Sequence, residues 1–247
     1  MNSDIRYKES FTIRASETGY SGRARVDSIA NFLQEIAGNH ASVLNFDVTD
    51  LQKNEMTWVL HQLHLKMERM PDWRETVEIE TWPSSGDRLR AYRDFRITDS
   101  ENNEIGVALS YWVIMDMKSR RPIRIPQEII EMRLPEGNHV LPLSSGVTID
   151  ELQTEALPFS VRRTDTDINR HANNVAYIRW VNETVNEIVY FNKDCTELNI
   201  QYMSEVLLEN EIAVKTDKTK DSDDIFHTEI LNLSTGRTAA KIISTWK

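Results

Sequence analysis

Apolar residues recur at helical spacing in two stretches of the chain. The first stripe comprises Val26, Ile29, Ala30, Leu33, Ile36 and Ala37. The second comprises Val175, Ile178, Val181, Val185 and Ile188. Steps of three and four residues place the members of each stripe on one face of an α-helix. The sequence therefore predicts two helices whose apolar faces are buried.

Alternating, β-rich segments follow each predicted helix. They are LHLKM, TVEIETW, RAYRDFRI and GVALSYWVIM after the first helix, and LNIQYM, EIAVKT, IFHTEIL and RTAAKIISTW after the second. Alternation with a period of two predicts strands with one buried face. One strand, one long helix and about four antiparallel strands, in that order, are typical of a curved sheet wrapped around a central helix, the hot-dog fold.

The two halves of the chain are related by an internal repeat. The segment FTIR, which begins at Phe11, is matched by FSVR, which begins at Phe159, 148 residues later. The same offset carries Phe32 onto Trp180 and Glu35 onto Glu183 without a gap. A repeat of this length indicates two copies of one structural unit.

We therefore predict an α+β protein with a tandem (double) hot-dog fold. The predicted N-terminal domain spans residues 1–121, and the C-terminal domain spans residues 156–247. The intervening residues 122–155 contain four prolines and interrupt the strand pattern, which is typical of a linker.

Charge and cysteine content narrow the classes of function. The net charge of −10 opposes non-specific binding to nucleic acid or to an anionic membrane surface. No apolar run approaches the roughly 20 residues of a membrane span, and the segment MNSDIRYKES lacks a signal-peptide core, so we expect a cytoplasmic protein. The single cysteine, Cys195, excludes an internal disulfide and suits a reducing compartment.

The densest cluster of chemically capable residues is TDTDINRHANNVAYIRW, from Thr164 to Trp180. Asp167, Asn169 and His171 alternate along a segment that we expect to be extended, so their side chains can share one side. Asn173 and Asn174 are N-cap candidates for the second helix. A helix N-terminus suits an oxygen that acquires negative charge, and a carboxylate or imidazole can take a proton from water.

Turn formation and capping alone explain the same residue types. The internal repeat argues against that simpler interpretation, because the equivalent positions are occupied by Gly19, Ser21 and Arg23. We therefore expect one active site per chain, with the first half shaping a pocket. One histidine among spaced Asp and Asn residues lacks the ligands of a zinc site, so neither a metal nor a cofactor is expected.

Three segments resemble the acyl-ACP thioesterases, a family that includes the plant FatA and FatB enzymes and bacterial relatives. They are IANFLQEIAGNHA, VEIETWPSSGDRLRAYRDF and DINRHANNVAYIRWVNE. The resemblance implies hydrolysis of fatty acyl-acyl carrier protein, which releases a free fatty acid and ends chain elongation. It also implies that Asp167, Asn169, His171 and Glu205 are catalytic, with Glu205 in the next strand. The cysteine that follows this glutamate in the family is Val206 here, which excludes a cysteine nucleophile at that position.

The resemblance also implies an acidic carrier protein as partner, and hence a local basic patch on this acidic chain. The candidates are Arg88, Arg90, Arg93 and Arg96; Lys118, Arg120, Arg121 and Arg124; and Arg162, Arg163, Arg170 and Arg179. Solvated surface is the simpler interpretation of scattered arginines. An acyl slot is expected between the first helix, placed at Ile29 to Phe46, and the strand LHLKM, where a solidly packed core is the alternative.

Three other functions are compatible with the fold. An acyl-CoA thioesterase would share the chemistry but not the partner. A non-catalytic acyl-binding module would not need the four polar residues, and a dehydratase would call for a different catalytic arrangement. The sequence leaves acyl chain length and a possible homodimer open.

Overall fold

A computed structural model describes residues 5–132, 139–167 and 170–247, which contain eleven strands and five α-helices. The strands are β1 (Tyr7–Thr12), β2 (Met56–Met67), β3 (Thr76–Gly86), β4 (Arg90–Thr98), β5 (Glu104–Asp116), β6 (Arg121–Ile123), β7 (Leu157–Ser160), β8 (Cys195–Tyr202), β9 (Glu211–Lys218), β10 (Ile225–Asn232) and β11 (Arg237–Trp246). The helices are α1 (Val26–Val43), α2 (Val48–Gln52), α3 (Gln127–Glu131), α4 (Asn174–Asn182) and α5 (Glu187–Asn192). Each of the eight predicted strand segments coincides with a strand of this set.

The strands form one sheet whose order is symmetric about its centre. The first half contributes β1-β3-β4-β5-β2, and the second half continues β8-β11-β10-β9-β7, with β6 beside β5. The second series is the first in reverse, with each strand replaced by its repeat counterpart. The antiparallel pair β2 and β8 joins the two halves, so the topology confirms the internal repeat.

Details of packing recur in both halves. Trp112 donates its indole N–H to Ser110 Oγ at 2.8 Å, and Trp246 donates to Ser244 Oγ at 3.1 Å. Each pair lies on the last long strand of its half. A repeated side-chain hydrogen bond shows that the likeness between the halves extends beyond their strand order.

Helix α1 fits its predicted stripe, because all six apolar positions are buried. It packs against β1, β3 and β8, and it begins and ends three residues before the expected bounds. Asn45, with φ at 61°, lies just beyond it in a conformation that does not continue a helix. No helix in the described ranges is long and apolar enough to cross a membrane.

The second stripe was predicted as one helix, and this is wrong at its C-terminal end. Helix α4 ends at Asn182, and α5 begins separately. Asn186 caps α5 by accepting a hydrogen bond from the Ile188 N–H at 2.9 Å. Ile188 is 75% exposed and does not belong to the core.

The connection between the halves is tied to the first-half sheet by a buried carboxylate. Asp94 is fully buried and accepts hydrogen bonds from His139 Nδ1 and the Val140 N–H, both at 2.8 Å. His139 Nε2 lies 2.9 Å from Ser85 Oγ. This Ser–His–Asp order resembles a nucleophilic triad. The His139 side chain is only 9% exposed, and Asp94 also binds backbone, so we interpret the cluster as a structural anchor.

Polar pairs cross the junction between the two halves. His64 Nε2 of β2 contacts Glu197 Oε1 of β8 at 2.8 Å, and the amide of Gln62 donates to Asn199 Oδ1 at 2.8 Å. The hydrogen bond from His64 is the main reason why the pKa of Glu197 is lowered from its usual value. This His–Glu pair lies on a regular part of the sheet.

Candidate active site

Backbone hydrogen bonds join Asp167, Arg170 and His171 at a turn before the second helix. The Asp167 N–H donates to the His171 carbonyl at 2.8 Å, and the Arg170 N–H donates to the Asp167 carbonyl at 3.0 Å. Arg170 has a φ of 63°. The expectation of an extended segment is therefore wrong, because these hydrogen bonds fold the chain back on itself. Asn169 lies outside the described residues.

Asp167 stabilises this turn through its side chain as well as its backbone. Its Oδ1 accepts the His171 N–H at 3.2 Å. The imidazole of His171 is thereby attached to a backbone that is held at both ends of the turn. The geometry gives Asp167 a means of positioning His171.

Helix α4 begins immediately after the turn. Asn173, one of the two predicted N-cap candidates, is the N-cap of this helix. Its side chain accepts a hydrogen bond from the Val175 N–H at 2.9 Å. Gln34 of α1 reaches this cap, donating to Asn173 Oδ1 at 3.3 Å and accepting from Asn174 Nδ2 at 2.8 Å. Gln34 was not among the residues predicted for the site. The feature of the sequence that could have identified Gln34 is its repeat counterpart, Asn182, which also carries a side-chain amide.

Glu205 lies in the loop after β8, not within a strand as expected. Strand β8 ends at Tyr202, and β9 begins at Glu211. Asn232 Nδ2 donates to the Glu205 carbonyl at 3.4 Å, and the Ala172 N–H donates to the Val206 carbonyl at 2.7 Å. This loop is consequently attached to the residue that follows His171.

These contacts bring His171 and Glu205 together. His171 Nε2 lies 2.9 Å from Glu205 Oε2, and the two side chains are 31% and 47% exposed. The Arg120 guanidinium contacts the same carboxylate oxygen. A partly exposed His–Glu pair beside a helix N-terminus can hold a water and take its proton. Nearby N–H groups can stabilise an oxyanion.

Two tyrosines, the buried Tyr177 and the partly buried Tyr202, lie beneath the site. Tyr202 donates its hydroxyl to the Asn174 carbonyl at 3.0 Å, and Tyr177 donates to the Ser204 carbonyl at 3.4 Å. Their rings meet edge to face at 5.3 Å. Burial raises the pKa of both hydroxyl groups, so each stays protonated and acts as a donor near neutral pH.

Cys195 does not have the environment of a nucleophile. It is buried, and burial raises the pKa of its thiol far above the usual value. A reactive cysteine needs a stabilised thiolate and access to substrate. Val206, at the position of the family's cysteine, is fully buried and carries no nucleophilic group. Cysteine chemistry is thus excluded at both positions.

The first half repeats the turn but not its polar side chains. The Gly19 N–H donates to the Arg23 carbonyl at 2.8 Å, and the Ala24 N–H donates to the Pro71 carbonyl at 2.8 Å. Since Ala172 donates to Val206 in the same way, Pro71 corresponds to Val206. The counterpart of Glu205 is therefore Met70.

The described cavities flank the first-half turn instead of the His–Glu pair. One cleft of about 440 Å³ is lined by residues that include Tyr20, Arg25 and Arg179, and a second cavity measures about 30 Å³. Beside the turn, Arg23 pairs with Asp194 at 2.6 Å. Arg23, the repeat counterpart of His171, is thus part of an ion pair.

The expected acyl slot is packed in this structure. Ile29 is 0% and Leu33 is 2% exposed, and both belong to the main core together with Leu63 and Leu65 of β2. Neither of the two described cavities lies between α1 and this strand. A slot at this place requires side chains to move when an acyl chain enters, so it stays a prediction.

The candidate basic residues differ in availability. Arg93 is bound to His40 Nδ1 at 2.9 Å, and burial lowers the pKa of its guanidinium to about 10. Arg90 pairs with Asp87 at 2.7 Å. The candidates that are exposed in the structure are Arg88, Arg96, Lys118, Arg120, Arg121, Arg124, Arg162, Arg163 and Arg170. Arg93 is thus unsuited to carrier docking.

The class of fold is confirmed by solved structures. An acyl-ACP thioesterase from Bacteroides thetaiotaomicron covers 98% of this chain and 98% of its own, with a TM-score of 0.89 and 23% identity. The 12:0-ACP thioesterase from Umbellularia californica has a TM-score of 0.88 at 22% identity and covers 100% and 99%. The protein is therefore an α+β double hot-dog protein.

Family models identify the particular family. The N-terminal domain model of acyl-ACP thioesterases matches residues 4–132, and the C-terminal domain model matches residues 149–247. The chain belongs to the acyl-ACP thioesterase family.

Curated plant relatives agree with this assignment. An oleoyl-acyl carrier protein thioesterase of Coriandrum sativum is 32% identical over 237 residues, which cover 89% of this chain. Oleoyl-acyl carrier protein thioesterase 2 of Arabidopsis thaliana is 32% identical over 223 residues, which cover 83% of this chain. The matches span 64% and 61% of these relatives' own lengths.

Proposed function

We propose that this chain hydrolyses the thioester of fatty acyl-acyl carrier protein and releases a free fatty acid. Family membership supports the reaction, and the names of the plant relatives specify oleoyl-acyl carrier protein as their substrate. The observation that carries the proposal is the 2.9 Å contact between His171 and Glu205 beside the start of α4. This pair supplies a proton acceptor where a thioester carbonyl can meet helix N–H groups.

The proposed reaction begins with a water held near Glu205 and His171. Glu205 takes a proton from this water, directly or through His171, as the water oxygen attacks the thioester carbon. The C–S bond breaks when the tetrahedral intermediate collapses, and the proton passes to the pantetheine sulfur. The products are a fatty acid and the free thiol of the carrier.

Asp167 and Asn169 complete the proposed set of catalytic residues. Asp167 positions His171 through the turn, for which its 3.2 Å hydrogen bond to the His171 N–H is the support. The role of Asn169, to orient the thioester carbonyl, follows from the family resemblance alone. Replacing Asn169 with Ala should lower kcat if the amide contacts the carbonyl in the transition state.

We assign the acyl pocket to the N-terminal domain, residues 1–121, and catalysis to the C-terminal domain, residues 156–247, with residues 122–155 as linker. A cytoplasmic location and a homodimer belong to the same proposal. Cell fractionation tests the location, and analytical ultracentrifugation of the purified chain tests the homodimer. A sedimenting mass near 28.7 kDa would contradict the homodimer.

A comparison of carriers tests the function. Purified protein is assayed with one acyl chain attached either to acyl carrier protein or to coenzyme A, over a panel of chain lengths. The proposal predicts a higher kcat/KM for the carrier-linked substrate. A preference for coenzyme A would identify an acyl-CoA thioesterase instead. Tight acyl binding without hydrolysis would indicate a non-catalytic acyl-binding module.

A further inference from the structure

One cation from the first half of the chain contacts the carboxylate of the second-half site. The Arg120 guanidinium is hydrogen bonded to Glu205 Oε2, across 85 residues of sequence. His171 Nε2 meets the same oxygen at 2.9 Å. Among the described residues, both side-chain partners of this carboxylate use Oε2. The hydrogen bond from Arg120 and the contact with His171, both at one oxygen, restrict rotation of the Glu205 side chain and leave Oε1 on the far side.

The order of the strands brings these residues together. Strands β5, β2 and β8 are neighbours, and Met56 at the start of β2 pairs with Asp116 at the end of β5. Strand β8 is antiparallel to β2, so its C-terminal end points toward the start of β2. The turn after β5 and the loop after β8 therefore leave the sheet at the same end.

The turn that carries Arg120 is well organised. Asp116 Oδ1 accepts the Ser119 N–H at 2.6 Å and the Ser119 hydroxyl at 2.7 Å, and the Arg120 N–H donates to the Asp116 carbonyl at 2.9 Å. Arg120 has a φ of 54°, which is uncommon for a residue with a Cβ atom. These contacts direct the Arg120 side chain toward the site.

We infer that Arg120 is a positioning residue for the hydrolysis and acts through Glu205. This inference rests on the proposed function. Arg120 fixes the orientation of the carboxylate, so that Oε2 faces His171 while Oε1 is available to the attacking water. The active site then depends on both halves of the chain.

Carrier docking is the competing role for an exposed arginine near the site. The two roles are separated by a small thioester without a carrier, such as an acyl-pantetheine. Loss of docking raises KM for the carrier substrate and leaves turnover of the small substrate unchanged. Loss of positioning lowers kcat for both substrates.

The experiment compares Arg120→Met and Arg120→Lys with wild type on acyl-carrier protein and acyl-pantetheine. Arg237→Met is the matched control, because Arg237 is an exposed arginine at the start of β11. Arg120→Met should lower kcat about tenfold on both substrates and leave KM for acyl-pantetheine unchanged. Arg120→Lys should restore part of the loss, and the control should match wild type.

Unchanged kcat on acyl-pantetheine in Arg120→Met would overturn the inference, even if KM for the carrier substrate rises. In a Glu205→Gln background, Arg120→Met should cause less than about a twofold further loss, since its partner is already altered. A further tenfold loss there would also contradict action through Glu205. A wild-type protein that hydrolyses neither substrate would instead refute the proposed function itself.

Discussion

Removing Glu205 or His171 should abolish most of the activity without unfolding the protein. The His171–Glu205 contact is 2.9 Å long between side chains that are 31% and 47% exposed, so its loss costs about 0–1 kcal/mol of stability. A general base typically contributes 10²–10⁴ in rate, which corresponds to roughly 3–5 kcal/mol of transition-state stabilisation. Glu205→Gln and His171→Ala should therefore each lower kcat at least about a hundredfold. The double variant should lose little more than either single variant.

The chain provides a matched control for this experiment. His64 and Glu197 form a second His–Glu pair, 2.8 Å apart, at the junction of β2 and β8. Glu197→Gln and His64→Ala should change the free energy of unfolding but retain kcat within about threefold. The assay follows thiol release from acyl-carrier protein, with urea unfolding in parallel. If Glu205→Gln keeps more than a third of wild-type kcat, or the control pair matters equally, the assignment of the base is refuted.

Four further predictions concern stability, the pocket and the partner. Burial, and to a smaller extent the charge of Arg93, lowers the pKa of His40 to about 4, so the folded state resists protonation of this imidazole. The free energy of unfolding should therefore fall by about 3 kcal/mol as the pH drops from 6.5 to 4. His40→Gln should remove that pH dependence in urea titrations. Asp94→Ala should cost about 3 kcal/mol in unfolding free energy, because it leaves the buried donors of the connection unpaired, and a loss below about 1 kcal/mol would contradict the anchor. Leu33→Phe should shift hydrolysis toward shorter acyl chains in a substrate panel, and an unchanged preference would place the slot elsewhere. Arg162→Glu should raise KM for the carrier substrate and weaken the salt dependence of kcat/KM; unchanged values would exclude Arg162 from docking.

The fold could be predicted from the sequence because its hydrophobic pattern repeats. The stripe of α1 and the alternating strands each bury one face, and period alone identifies such elements. The helical spacing gave a wrong prediction where a capping residue begins a new helix. Ile188 matched the helical spacing, but Asn186 caps a new helix and leaves Ile188 exposed.

The residue types of the candidate site could be predicted from the sequence, but their arrangement in space could not. The sequence proposed Asp167 and His171 as candidates, whereas the contact between them depends on backbone hydrogen bonds that residue spacing does not encode. Glu205 came from family resemblance, since one carboxylate among 39 acidic residues has no distinguishing local signal. Arg120 was noted only as a docking candidate, because its contact with Glu205 arises from strand order across both halves.

A crystal structure of the full chain with a non-hydrolysable acyl-pantetheine analogue, in which an amide replaces the thioester, would show where the substrate carbonyl binds. We expect the amide carbonyl to lie at the start of α4, with a water between it and the Glu205–His171 pair. An analogue whose carbonyl lies instead beside Arg23 and Asp194, at the first-half turn, would contradict the claim that the second-half pair cleaves the thioester.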